Sequence, residues 1–185
     1  RRRRCLLVRS QGYVRPAGCD ASLLGACPAL CSYRLQNFFV DGECRSEGRY
    51  IGIAAALVTR VGADHFGRYI REQLAREGVA TDGVLTDAQR LTALVFLGIR
   101  DPDTFPLIFY RENCADMALT VADIDPALVR SARAVLVNGT HLSQPQVFEA
   151  SLAACRIARD AGASVVFDID YRPVLWGLTR KDQGE

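Results

Sequence analysis

The 185-residue chain predicts an α/β protein with a parallel sheet and covering helices. Two observations carry this. From Tyr50 onward, short apolar runs alternate with stretches of helical period, which is the βαβ pattern. Polar residues also gather directly behind two of the apolar runs, in "VNGTHLS" and "FDIDYRP". Open α/β sheets bind their ligands at such strand ends.

The elements follow in order. "AAALVTRVG" is an apolar run that stops at Gly62, a strand with a turn behind it. "DHFGRYIREQLAREG" puts Phe66, Ile70 and Leu74 on one helical stripe with Tyr69 beside it. Asp64 stands at its N-cap position and Gly78 at its stop. "LTALVFLGIR" and "PLIFYRE" are two short strands joined by the Pro- and Asp-rich loop "DPDTFP". "ADIDPALVRSA" is a short helix that tolerates Pro126 in its first turn. "AVLVNGT" is a buried strand ending at Gly139. "QPQVFEASLAACRIARDAG" is a helix whose face runs Phe148, Ser151, Leu152, Cys155 and Ala158, closed by Gly162. "SVVFDID" is the next buried strand.

Hydrophobic residues at 49% and charged residues at 24% sit near the averages for soluble globular proteins, so a disordered or membrane-embedded chain is not indicated. No apolar run approaches the roughly 18 residues of a membrane helix, and the expectation is a cytoplasmic protein. The net charge of +2 is unevenly spread: residues 1–50 carry nine Arg against four acids, led by "RRRR". Nothing aromatic or basic continues that patch, so neither nucleic acid nor membrane is expected as a partner. Five of the seven cysteines fall in the first 44 residues. Cys27 and Cys31 are spaced like metal ligands, but no second pair or His follows nearby, and no metal is expected. Residues 1–48 show no sustained period and read as an irregular segment, disordered or out of frame.

Each polar cluster has two readings. "RVGADHFG" is either backbone brought close to a ligand or a tight turn with an N-cap. Arg111, at the end of an apolar strand, offers a planar fork of donors suited to a carboxylate. It could equally form a surface ion pair with Glu112 or Asp116, which local spacing favours slightly. Thr140, His141 and Ser143 follow a strand end, where a structural and a functional His are equally expected. Asp168 and Asp170 lie two apart on an extended chain, so they point the same way and repel; one needs a proton or a cation, such as Arg172. The lack of G-x-G-x-x-G between strand and helix argues against a nucleotide-binding domain of Rossmann type.

Taken in order, "RVGADHFGRYIREQLAREGV", "LTALVFLGIRDPDTFPLIFYRENCADMAL", "VNGTHLS" and "VVFDIDYRPVLWG" resemble the PfkB (ribokinase-like) family of sugar kinases. The match is closest to the family's 5-dehydro-2-deoxygluconokinase branch of inositol breakdown and covers about residues 50–185. The resemblance implies a doubly wound, Rossmann-like sheet with a small β lid, present here in part over residues 49–185. It implies ATP and Mg2+ as cofactors, a small sugar acid as partner, and self-association through the β lid. Arg111 and Arg172 would hold the carboxylate or hydroxyls of the substrate, with Phe109 and Tyr110 lining the pocket and Asp170 beside them. Relatives acting on other sugars often read D-x-N-x-R, where this chain has Asp170 in place of the Asn.

Two family motifs are not in these 185 residues. The Gly-Gly-x-x-x-Asn segment that grips sugar hydroxyls is not found in residues 1–48, where "LGACPALCSYRL" stands instead. The Gly-Ala-Gly-Asp segment, which supplies the aspartate base and an anion hole, does not occur before Glu185. The expectation is therefore a fragment of a sugar-acid kinase without turnover of its own. A non-catalytic sugar-acid binder or pseudokinase is the alternative.

Overall fold

A computed structural model describes residues 4–8, 43–46, 49–52, 54–76, 78–97 and 107–180. Five parallel strands form the main sheet: β1 (Arg4–Val8), β4 (Ala55–Gly62), β5 (Val84–Asp87), β8 (Ala132–Asn138) and β9 (Ser164–Asp168). Their order across the sheet is β5-β4-β1-β8-β9. Two antiparallel hairpins stand as separate small sheets, β2 (Glu43–Ser46) with β3 (Arg49–Gly52), and β6 (Leu94–Leu97) with β7 (Leu107–Tyr110). Among the described residues three α-helices complete the framework: α1 (His65–Arg76), α2 (Pro126–Arg130) and α3 (Pro145–Asp160). The α/β class expected from the sequence is the class observed.

Strands β4 and β8 are covered on both faces, which explains why they read as continuous apolar runs and not as alternating ones. Successive side chains of β4 point to opposite sides. Ala56 and Val58 join a core with Val147, Ala150, Ala154 and Ala158 of α3. Ala55, Leu57 and Val61 join a second core with Ile70 and Leu74 of α1. Strand β8 divides in the same way, with Val135 and Val137 in the first core and Leu136 in the second.

Both long helices are where their periodicity predicts, but each is rotated from the expected face. On α1 the buried stripe is Gly67, Ile70 and Leu74, while Phe66 is half exposed. On α3 it is Val147, Ala150, Ser151, Ala154 and Ala158, and Phe148 is exposed. Small residues took precedence over large ones because they let the helix backbone lie close to the sheet. Size was the wrong guide to burial here.

Two further expectations are corrected. Residues 1–48 are not irregular throughout, since 4–8 and 43–46 form strands; the rest of that span lies outside the described residues. Four apolar residues in "RCLLV" are too few to show a period, yet they suit a strand paired on both sides. Strand β9 is not buried: Val165, Val166 and Phe167 are all exposed. It is the last strand of the sheet order and, among the described residues, pairs with β8 alone.

Turn chemistry fixes how β4 enters α1. The Asp64 carboxylate caps the helix by accepting from the Gly67 N–H at 2.8 Å, as its N-cap position predicts. A Cβ on Gly67 would fall inside the van der Waals radius of the Gly62 carbonyl oxygen. Ala in a helix is ordinarily favoured over Gly by up to about 1 kcal/mol. Overpacking against backbone costs about 1–3 kcal/mol or more, so the clash decides the sign. Gly67→Ala is expected to lower the urea midpoint of unfolding, and an unchanged or raised midpoint would contradict this packing.

Candidate functional site

Because the five strands are parallel, their carboxyl ends share one edge of the sheet. The chain runs from β1 outward to β4 and β5, then returns to β8 on the other side of β1. This reversal between β1 and β8 is the switch point where open α/β sheets hold ligands. The residues that follow β4, β8 and β9 therefore meet there.

Asn138 closes β8 and organises this edge. Its side-chain oxygen accepts from the Thr140 N–H at 2.8 Å. Its amide nitrogen donates to Asp168 at 3.0 Å and to Asp170 at 3.1 Å, so one group bridges the two carboxylates. The Thr140 hydroxyl donates to Asp170 Oδ2 at 2.6 Å, and Arg172 Nη2 pairs with Asp170 Oδ1 at 2.8 Å. The repulsion expected between the two acids is thus met by an amide as well as by Arg172. Gly139 lets this turn close, since a Cβ there would collide with the Ile169 carbonyl oxygen.

Arg111 lies across from this cluster. The sequence offered an ion pair as one reading, and Arg111 does pair with Asp116, Nε to Oδ2 at 2.6 Å. The pair is not on the surface, however: the two side chains are 1% and 3% exposed. Arg111 Nη1 also donates to the Thr140 carbonyl at 3.3 Å, linking both arginine clusters through one residue. Among the described residues Arg111 Nη2, Asp116 Oδ1 and Ser143 Oγ are buried without a hydrogen-bond partner. Burial pushes the Asp116 carboxyl up, against the pull of the Arg111 guanidinium.

A cleft of about 330 Å³ opens beside Arg111, lined also by Arg90, Phe109, Asn113, Gln144 and Gln146. Phe109 and Arg111 thus face one cavity. Tyr110, between them on an extended strand, is exposed and packs edge-on against Phe96 with ring centroids 5.4 Å apart. Asp170 and Arg172 do not line the cleft, although Val174 and Leu175 just beyond them do. The His141 side chain lies outside the described residues. Arg90, Gln144 and Gln146 went unnoticed in the sequence: Arg90 sits on a connection, and the two glutamines stand at the start of α3, where periodicity marks only the apolar face. Asp116 was legible only as a candidate surface partner of Arg111. Asn138 did carry a signal, as the lone amide closing the apolar run "AVLVN".

The glycine turn after β4 serves packing. A Cβ on Gly62 would meet Asp64, the Arg90 carbonyl and the Thr92 nitrogen. Asp64 Oδ2 accepts from the Thr92 N–H at 2.7 Å, and Thr92 Oγ1 accepts from the Gly62 N–H at 2.9 Å. The turn packs against its own chain, which accounts for Gly62 without a ligand. No group of three His, Cys, Asp or Glu among the described residues could hold a metal ion. Burial pushes the Cys114 thiol up, the setting of a structural cysteine.

Asp87 holds the cleft wall from behind. It accepts from Arg90 Nη1 at 3.2 Å and from Arg60 Nη1 at 3.3 Å. The hydrogen bond from the Gln89 N–H, with burial opposing it and Arg90 reinforcing it, holds the Asp87 carboxyl below the usual carboxylate range. A depressed folded value means stability that is present above the unfolded value of about 3.9 and lost as pH falls through the folded one. Asp87→Asn is expected to cost about 1–3 kcal/mol at pH 7. Urea unfolding should show that deficit shrinking as pH falls below about 3.9. A deficit that stays constant with pH would contradict this assignment.

Residues 49–183 match the pfkB family carbohydrate kinase profile. A curated relative from Shouchella clausii (strain KSM-K16), named 5-dehydro-2-deoxygluconokinase, is 37% identical over 127 residues, covering 68% of this chain and 39% of the relative. Among solved structures, fructokinase from Xylella fastidiosa with bound ATP aligns with a TM-score of 0.64 at 30% identity, covering 68% of this chain and 38% of that one. A chain assigned as Ribokinase II from E. coli, in complex with ATP and Mg2+, aligns with a TM-score of 0.67 at 18% identity, covering 97% of this chain and 57% of that one. The chain spans about two fifths of the length of the curated relatives that it matches.

Proposed function

The chain belongs to the pfkB family of carbohydrate kinases, and from that premise we propose that it serves the ATP-dependent phosphorylation of 5-dehydro-2-deoxy-D-gluconate in myo-inositol degradation. The observation that carries the sugar-acid reading is the buried Arg111. It sits in the wall of a cleft at the ligand edge of the sheet, with one arm of its guanidinium unpartnered among the described residues. A planar donor pair of this kind matches a carboxylate better than a neutral hydroxyl. The relatives named 5-dehydro-2-deoxygluconokinase support the particular acid.

In this reading Arg111 holds the acid and Phe109 forms the apolar wall, while Arg172, paired with Asp170 and outside the cleft lining, joins the grip when the site closes on the ligand. Tyr110, which is exposed on the other side of β7, lines the site only if the β6–β7 hairpin closes over the ligand. Self-association through that hairpin and a cytoplasmic location belong to the same proposal. ATP with Mg2+ would supply the phosphoryl group. A positioned base is worth about 10²–10⁴ in rate and one oxyanion-type donor about 10²–10³. The Gly-Ala-Gly-Asp segment that brings both in the resemblance is not in these 185 residues. Binding without turnover is therefore part of the proposal, and it is also what a non-catalytic sugar-acid binder would show.

A coupled ADP-release assay and calorimetry on the purified 185-residue chain test this together. The expected result is binding of 5-dehydro-2-deoxygluconate without ADP release above a blank. Arg172→Met should weaken that binding by about tenfold or more, the worth of a hydrogen bond to a charged group. Clear turnover would overturn the no-turnover part, and failure of the acid to bind would overturn the sugar-acid reading itself.

A further inference from the structure

We propose that Asp116 is a positioning residue for the acidic ligand: it fixes the Arg111 guanidinium through Nε and so holds an unpartnered Nη2 for the ligand's carboxylate. The inference rests on the sugar-acid reading above and extends it to a residue that does not itself touch the ligand.

The geometry carries it. The Nε bond to Asp116 and the Nη1 bond to the Thr140 carbonyl set the plane of the guanidinium from two sides. Asp116 is itself held on a short 3-10 turn, Ala115–Ala118, whose first N–H donates to the Leu91 carbonyl at 2.9 Å. Ala115 and Ala118 are buried, which leaves the turn little freedom to move. A buried ion pair whose remaining atoms stay unpaired is a poor source of stability, and apolar groups of the same volume would pack as well. Retaining it is intelligible if a ligand supplies the missing partner.

The pair is neutral, so it recognises an anion by oriented donors and not by net charge. That gives the test a sign. If Asp116 acted only through its charge, removing the charge would tighten binding of an acid. If it positions Arg111, removal weakens binding.

Calorimetry of the full 185-residue chain with 5-dehydro-2-deoxygluconate decides, with D-fructose as the uncharged control and a thermal melt on every variant. Asp116→Asn is expected to weaken the acid about tenfold and to leave D-fructose unchanged. In an Arg111→Lys background the same change should add less than about twofold, because both act on one contact. Asp116→Glu, which keeps the charge but shifts it by one methylene, should also weaken the acid and serves if Asp116→Asn does not fold. Binding by Asp116→Asn as tight as the parent or tighter overturns the inference alone, as does a full additional loss in the Arg111→Lys background. No binding of the acid by the parent chain overturns the sugar-acid reading and this inference with it. Failure of both Asp116 variants to fold makes Asp116 a stability residue only and overturns the inference as well.

Discussion

The side-chain amide of Asn138 is the contact on which the ligand edge depends. Two carboxylates at alternate positions of one extended segment would otherwise face each other across a few ångströms. The amide separates their demands by giving each a proton donor, while its oxygen fixes the Thr140 N–H. Once Thr140 is placed, its hydroxyl fixes Asp170 and its carbonyl receives Arg111. Two arginines distant in sequence are thereby referred to one turn of backbone. A strand end with no side-chain amide would leave both without a common frame.

Charge is handled in closed groups. Arg60 and Arg90 meet Asp87, and Arg60 also meets Asp123, so two cations and two anions balance behind the cleft. Arg111 and Asp116 balance within it. Such an edge gains little from long-range attraction. Its selectivity has to come from the direction of its donors, which is why the rigidity of the 3-10 turn and of the Asn138 turn matters more than the count of basic residues.

The architecture was largely legible because parallel strands buried on both faces leave uninterrupted apolar runs, and β4 and β8 both did. Helix existence was legible from period, but helix rotation was not. Periodicity weights Phe66 and Phe148 heavily, whereas packing against a sheet selects Gly67, Ala150 and Ala154 for their small size. The burial expected for β9 failed because an edge strand has the same composition as a central one. At the candidate site, Arg111 and Arg172 drew attention in the sequence because they stand beside strand ends, and of the two Arg111 lines the cleft. Arg90 did not, since a loop residue's partner is set by where the chain returns in space; for Asp116 the pairing with Arg111 was legible but its burial was not.

The exposure of β9 has a consequence for handling the protein. Among the described residues its outer edge has no partner strand and is flanked by Val165, Val166 and Phe167, and such an edge accepts further strands. Association through it would compete with unfolding by mass action. A melting temperature for this chain is then a property of the solution as much as of the fold, and has meaning only with the protein concentration stated beside it.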